Sequence, residues 1–323
     1  MNNLFNFTVT LANELISSGR NGTAHSYLSS ARKLAHFTSD KITFDELTPA
    51  LLKSYEQHLM AEGRKRNSIS LYMRMLRSIC NQASDRGLTT IPAGLFSDVF
   101  TGTDSSEKRA VSANVIKRVS EADLSEASPE IAFCRDMFLL SFFLRGIPFV
   151  DLVHLRKSDI RKGVLRYRRS KTDRPLTVPL EPCTLTIIRK YGDMVEKKSP
   201  YLLPIIKCSG KDDYVQYQSA LRLYNKNLGR LSTFLGLKEK LTSYVARHSW
   251  ATTAYHNGIS VSIISESLGH SSEKVTYTYL ASFGNTALRK ANRKVIAAVM
   301  SKPHPSAKRV LPIAGKVQQA PFR

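Results

Sequence analysis

The amino-acid sequence predicts a mainly helical protein with one small β-hairpin, an α+β chain in two domains. Three observations lead there. The first hundred residues repeat apolar side chains at helical spacing, residues 101–108 (TGTDSSEK) have no periodicity, and helical patterns then resume around a single alternating pair of segments. The expected division is residues 1–100 as a helical bundle, 101–108 as linker, 109–300 as a second domain and 301–323 as a disordered tail, basic and Pro-containing.

From Thr23, TAHSYLSSARKLAHF sets Tyr27, Leu28, Ala31, Leu34 and Ala35 on one helix face, with Thr23 as the expected N-cap. The next pattern, DELTPALLKSYEQHLMAEG, offers Thr48 as N-cap, Pro49 at the first helical position and Gly63 as the stop. A third, NSISLYMRMLRSICNQASDRG, turns Ile69, Tyr72, Met73, Leu76, Ile79 and Cys80 inward and ends at Gly87. Past the linker, VSANVIKRVSEADL reads as a capped helix and PEIAFCRDMFLLSFFLRG as a buried one. VLRYRRSK and PLTVPL, joined by Thr172-Asp173-Arg174, form the expected hairpin, and helical patterns return through Thr184–Tyr191 and Tyr217–Leu235.

Charge narrows the function. The chain carries 48 Lys plus Arg against 26 Asp plus Glu, a net +22 over 323 residues, and an excess of that size matches a polyanionic partner, nucleic acid above all. No apolar run approaches the ~20 residues that span a bilayer, and the N-terminus lacks the basic start and apolar run of a signal peptide. Cys80, Cys134, Cys183 and Cys208 are scattered, as expected of reduced thiols in a cytoplasmic protein. A basic cluster, Arg64, Lys65, Arg66 and Asn67 with Arg74 and Arg77 on the following helix, and Arg169 of the hairpin are the expected DNA contacts; a merely solvated face is the alternative.

The stretch from Leu241 to Leu280 concentrates the chemistry. Arg247 opens an apolar helix that ends at Asn257-Gly258, His270 follows Leu268-Gly269, and Tyr279 lies nine positions beyond His270. Arg supplies fixed donors to a phosphate, His donates to a charged oxygen, and a Tyr hydroxyl can attack phosphorus. That trio in a basic protein points to phosphoryl transfer through a covalent tyrosyl intermediate. The carboxylate pairs Asp212-Asp213 and Asp40/Asp45 lack further ligands at metal spacing, which argues against a two-metal nuclease.

Together ARHSWAT, LGHSS and TYTY at these spacings resemble the tyrosine recombinases of the phage-integrase family, and the RGxPFxDL pattern is similar to that of integrases from mobile elements of gut anaerobes. The resemblance implies a helical core-binding domain and a catalytic domain clamped on duplex DNA. It implies integration, excision or inversion through a 3′-phosphotyrosyl intermediate, without metal or other cofactor. On that likeness Tyr279 is the nucleophile, Arg247 binds the non-bridging oxygens, His270 donates to the phosphate, and Lys171 of Ser170-Lys171-Thr172 is the general acid for the 5′-hydroxyl. Tyr277 faces a different way on the same helix. The likeness further implies a monomer that becomes a homotetramer on two DNA sites. Asn285–Met300 would be the helix docking on a neighbour through Leu288, Val295, Ile296 and Val299, unless that stripe packs on its own domain.

Two positions depart from the family pattern. Tyr244 stands where a His precedes the arginine by three residues, and a phenol with a pKa of ~10 is a supporting donor at most. Pro148 stands in the slot of the first family arginine, with Gly146 before it and Asp151 in the acidic position. Arg145 is expected to supply the missing guanidinium, the alternative being a structural pair with Asp151. The rival readings are a DNA-binding protein that keeps the fold without catalysis, and a basic scaffold protein.

Overall fold

The computed structural model describes residues 3–104, 109–207, 210–280 and 285–300. They are mainly helical with one three-stranded sheet, and two separate apolar cores organise them.

Four helices, α1 (Leu4–Ser17), α2 (Asn21–Phe37), α3 (Pro49–Ala61) and α4 (Arg66–Asp85), enclose the first core, built on Leu4, Leu34, Leu52, Met73 and Leu76. Thr48 caps α3 by accepting from the Leu51 amide at 3.1 Å, and Pro49 stands at its start as the sequence predicts. Helix α1 goes unpredicted. Its Thr8-Val9-Thr10 run and two phenylalanines lower intrinsic helicity, and the helix forms because Leu4, Phe7, Leu11 and Leu15 share one buried face against α2. The chain turns at Arg20 and α2 starts at Asn21, so Thr23 sits inside the first turn instead of capping it.

The segment leaving this bundle is held along it. Buried Glu56 accepts the Phe100 amide at 2.8 Å and the Lys53 ammonium at 2.7 Å. The Asn67 side chain pairs with both backbone groups of Asp104, at 2.8 and 3.0 Å. Residues 101–104, expected as free linker, are thus fastened to α4; residues 105–108 and 301–323 lie outside the described residues.

The second core takes α5 (Ala113–Ser120), α6 (Pro129–Phe143), α7 (Phe149–Val153), α8 (Pro182–Gly192) and α9 (Asp213–Phe234), with the sheet β1 (Ile160–Arg161), β2 (Val164–Arg168) and β3 (Pro175–Pro179) on one side. The order is β1-β2-β3, antiparallel, with Leu165 opposite Val178 and Tyr167 opposite Leu176. Alternation sends Leu165, Tyr167 and Val178 inward. The predicted hairpin is present; two-residue β1 is too short to leave a pattern.

A smaller cluster, Ala251, Ala254, Ile264, Leu268 and Leu280, joins α10 (Val245–His256), α11 (Val261–Leu268) and α12 (Glu273–Tyr277), with Trp250 packed at its edge. Helix α13 (Asn285–Met300) exposes Val295, Ile296 and Val299; the side chain of Leu288 lies outside what is described. No helix among the described residues is long and apolar enough to cross a membrane.

Glu56→Ala leaves the Phe100 amide without its acceptor and frees the segment after α4. We expect a loss of about 1–3 kcal/mol in urea unfolding, with Glu56→Gln losing less.

Candidate active site

Arg247 is the centre of the arrangement. It lies in the first turn of α10 and is 2% exposed, an unusual depth for a guanidinium. Nη1 donates to the Gly146 carbonyl at 2.8 Å, and Nη2 donates to the Leu268 carbonyl at 2.6 Å and faces His270 Nε2 at 3.0 Å. Gly146, at φ +69°, passes so close that a Cβ there would lie 2.8 Å from the Arg247 Cα. The turn bearing the family's Gly is therefore packed on the arginine itself.

The hairpin closes the site from the opposite side. Arg169 follows β2 in the same inward alternation as Leu165 and Tyr167, is 6% exposed and donates through Nη1 to Asp151 at 2.5 Å. The other Asp151 oxygen accepts the Ser170 amide at 2.9 Å. Gly269, left-handed at φ +66° after α11, lets the hairpin approach: a Cβ there would meet Arg169 Cγ at 3.0 Å. Thr172 and Arg174 then donate to the carbonyls of Gly269 and His270. Lys171 stands exposed at the hairpin tip, near enough for its charge to act on His270.

Tyr279 lies just past α12 and faces Arg247, whose guanidinium carbon is 5.5 Å from the ring centroid. Its ring is flanked by His248, stacked at 4.5 Å, and by His270 at 4.8 Å. Thr252 Oγ1 donates to its carbonyl at 3.4 Å, and its amide donates to the Thr276 carbonyl at 2.9 Å. Tyr277 is 55% exposed.

The remaining expected residues fall elsewhere. Arg145, at φ +58° and half-buried, opens onto a groove of about 560 Å³ with Arg174, Thr177 and Glu266, and no hydrogen bond among the described residues joins it to Arg247, His270 or Tyr279. Arg169, expected as a DNA contact, is instead buried, close enough for its charge to act on Arg247. Tyr244 is the N-cap of α10, 43% exposed, its ring 6.1 Å from His248. Of the basic cluster, Lys65 and Arg74 are exposed, and Arg64 pairs with Glu62. Arg66 lies over Phe100 and 3.6 Å from Asp104, while Arg77 donates to the Phe96 carbonyl and Asn67 holds Asp104. Asp212 caps α9 and Asp213 accepts from Tyr201.

Electrostatically the pocket is a concentration of cations. The Arg247 guanidinium is pulled below its ordinary range by burial first and by the charge of Arg169 second, while Tyr279 acts in the opposite sense. The Nε–H groups of Arg169 and Arg247 are both buried without a hydrogen-bond partner, a state that an anionic oxygen would relieve. Burial raises the Tyr244 phenol, with Tyr279 adding to it. His270 is pushed down to about 3, by burial first and then by Arg247, Arg169 and Lys171.

A histidine neutral in the folded chain but titrating near ~6.5 when unfolded binds fewer protons folded, so its contribution to stability is lost as pH falls from about 6.5 toward 3. His270→Gln is expected to flatten that part of the curve, measured as the difference in urea midpoint between variant and parent at pH 7 and pH 4.5.

Comparison with known proteins shows the family and the fold. Residues 3–93 match the phage integrase SAM-like domain, and residues 116–285 match the phage integrase family. The tyrosine recombinase XerA of Pyrococcus furiosus is 24% identical over 265 residues, covering 72% of this chain and 90% of the relative. Tyrosine recombinase XerD of Rhizobium meliloti is 25% identical, over 71% of this chain and 74% of its own. In fold, the lambda integrase (75–356) dimer bound to a COC′ core site superposes with a TM-score of 0.64 at 17% identity, covering 87% of this chain and 96% of that one. The Tn1549 transposon integrase in complex with a circular intermediate DNA does so at 0.61 and 13%, covering 91% and 100%. With more than half of its length matched by the phage integrase family and the preceding bundle by the phage integrase SAM-like domain, the chain belongs to the phage integrase family.

Proposed function

We propose that this protein is a site-specific DNA recombinase that cleaves and rejoins duplex DNA through a 3′-phosphotyrosyl link. One observation carries the reading: a half-buried tyrosine, two buried guanidiniums and a buried imidazole meet in one pocket formed by a single chain.

In the proposed reaction the Tyr279 oxygen attacks the scissile phosphorus, the P–O5′ bond breaks, and the phenolic proton leaves to solvent or a neighbouring base. Charge gathers on the non-bridging oxygens, where Arg247 and Arg169 donate, fixed by packing before substrate arrives. The Lys171 ammonium gives its proton to the departing 5′-oxygen. A phosphodiester is exchanged for a phosphodiester, so the reverse attack by a 5′-hydroxyl rejoins the strand without another energy source. Tyr244, whose phenol is held above its ordinary range, acts at most as a hydrogen-bond donor beside the nucleophile.

Arg169 takes the part expected of Arg145. Pro148 removes a guanidinium from the α6–α7 turn, yet Asp151 remains and holds Arg169 from across the pocket. The carboxylate is thus kept and its arginine arrives on a different strand. The partner is duplex DNA, gripped by the exposed part of the basic cluster, Lys65 and Arg74 foremost, with Arg64. A lambda integrase tetramer bound to a Holliday junction shares the fold, with a TM-score of 0.61 at 17% identity, and the working assembly proposed is likewise a tetramer, acting in the cytoplasm.

Tyr279→Phe is expected to keep DNA binding and lose the covalent adduct on a suicide duplex drawn from the DNA flanking the gene, while Tyr277→Phe keeps both. An adduct surviving in Tyr279→Phe sinks the nucleophile assignment, and a parent protein that binds without any adduct favours the non-catalytic reading.

On the same substrate Arg169→Lys, which retains a charge against Asp151, is expected to slow adduct formation by about 10²–10³-fold, the usual scale for a lost transition-state donor. Arg145→Ala should change it less than tenfold; the opposite ranking would restore Arg145 to the site.

A further inference from the structure

Thr276 has no part in the reaction as drawn, yet it is fully buried and touches the two groups that matter. Its Oγ1 lies 2.9 Å from His270 Nδ1, and its carbonyl accepts the Tyr279 amide at 2.9 Å. On the far side of the imidazole, Arg247 Nη2 lies 3.0 Å from Nε2.

The donor inventory settles the ring's protonation. A guanidinium has donors only, so Nε2 must be the acceptor and carries no hydrogen. With burial first, and then Arg247, Arg169 and Lys171, disfavouring an imidazolium, the ring is neutral and its single proton is on Nδ1, donated to Thr276. In that state His270 cannot donate through Nε2 to a phosphate. Donation requires the other tautomer, which in turn requires a partner for Nδ1 that donates. A hydroxyl does either by rotating its hydrogen, without displacing a heavy atom.

We infer that Thr276 is a positioning residue that holds His270 in the Nδ1–H tautomer in the free protein and reverses its hydrogen bond when a DNA phosphate enters. On entry, the phosphate draws the Arg247 Nη2–H away from Nε2. The ring gives up the Nδ1 proton to water and takes one at Nε2, so its charge is unchanged; Thr276 then donates to Nδ1. Because Thr276 is three residues before Tyr279 and accepts its amide, the residue that sets the donor also anchors the nucleophile. The second half of this inference rests on the recombinase reading; the free-state tautomer does not.

The test uses the full chain with ¹⁵N-labelled histidine, the His270 ring signals being identified by their loss in His270→Gln. Long-range ¹H–¹⁵N spectra of the free protein are expected to show the Nδ1–H tautomer, and those of Tyr279→Phe on the flanking-sequence duplex the Nε2–H tautomer. Thr276→Val, which keeps shape but no hydroxyl, is expected to slow adduct formation by on the order of 10- to 100-fold, as loss of an imidazole's outer partner does at metal sites. DNA affinity should be unchanged, and Thr276→Ser should stay within about threefold of the parent on the same scale. A free ring protonated at Nε2 or at both nitrogens overturns the inference. So does a bound ring still protonated at Nδ1, or a Thr276→Ser protein as slow as Thr276→Val. A parent protein that shows the tautomer change on DNA but forms no adduct would overturn the recombinase reading alone, so the two failures are distinct.

Discussion

The structure depends on how a guanidinium is kept in the interior without a carboxylate of its own. Burying an unpaired charge is costly unless its donors are met, and the two Nη groups of Arg247 find two main-chain carbonyls and an imidazole nitrogen, leaving only the Nε–H without a partner. Those acceptors belong to the turn after α6, the last residue of α11 and the loop beyond it. One side chain therefore fixes the mutual placement of three elements. The two glycines of the site follow from it: Gly146 lies where a Cβ would strike the Arg247 backbone, and Gly269 where one would press on the Arg169 side chain.

Around that centre the charges are arranged for an anion. Arg247, Arg169 and Lys171 act together on His270, and the carboxylate bonded within the cluster, Asp151, is occupied by Arg169 and the Ser170 amide. The resulting field disfavours a protonated imidazole and leaves two guanidinium N–H groups unpartnered. Buried N–H groups without a partner are of the kind that an anionic oxygen would satisfy. The guanidinium donors are held by main-chain carbonyls, a carboxylate and packed turns, in positions set during folding.

How much of this was legible residue by residue varied with the range of the interaction. Helices α3 and α4 announced themselves through Thr48-Pro49, Gly63 and Gly87, because caps and stops are local chemistry. Helix α1 did not, because its helicity is conferred by burial against α2 and its own residues are indifferent formers. In the hairpin, the alternation that sends Leu165 and Tyr167 inward continues to Arg169, so a strict period-two reading would have marked that arginine as inward-facing. Its charge and its place in a basic run suggested the surface instead.

The sequence by itself determined the helical bundle, the hairpin, the excess positive charge, and the spacing of Arg247, His270 and Tyr279 on which the family likeness rests. These are properties of composition and of neighbours a few residues apart. Only the tertiary structure decided that Arg169 is buried against Asp151 with its charge acting on Arg247, that the Tyr279 ring sits between His248 and His270, and that residues 101–104 lie fastened to α4. Each of those outcomes turns on which side chains are desolvated together by segments far apart in the chain, and desolvation is a property of the assembled core that no local pattern records.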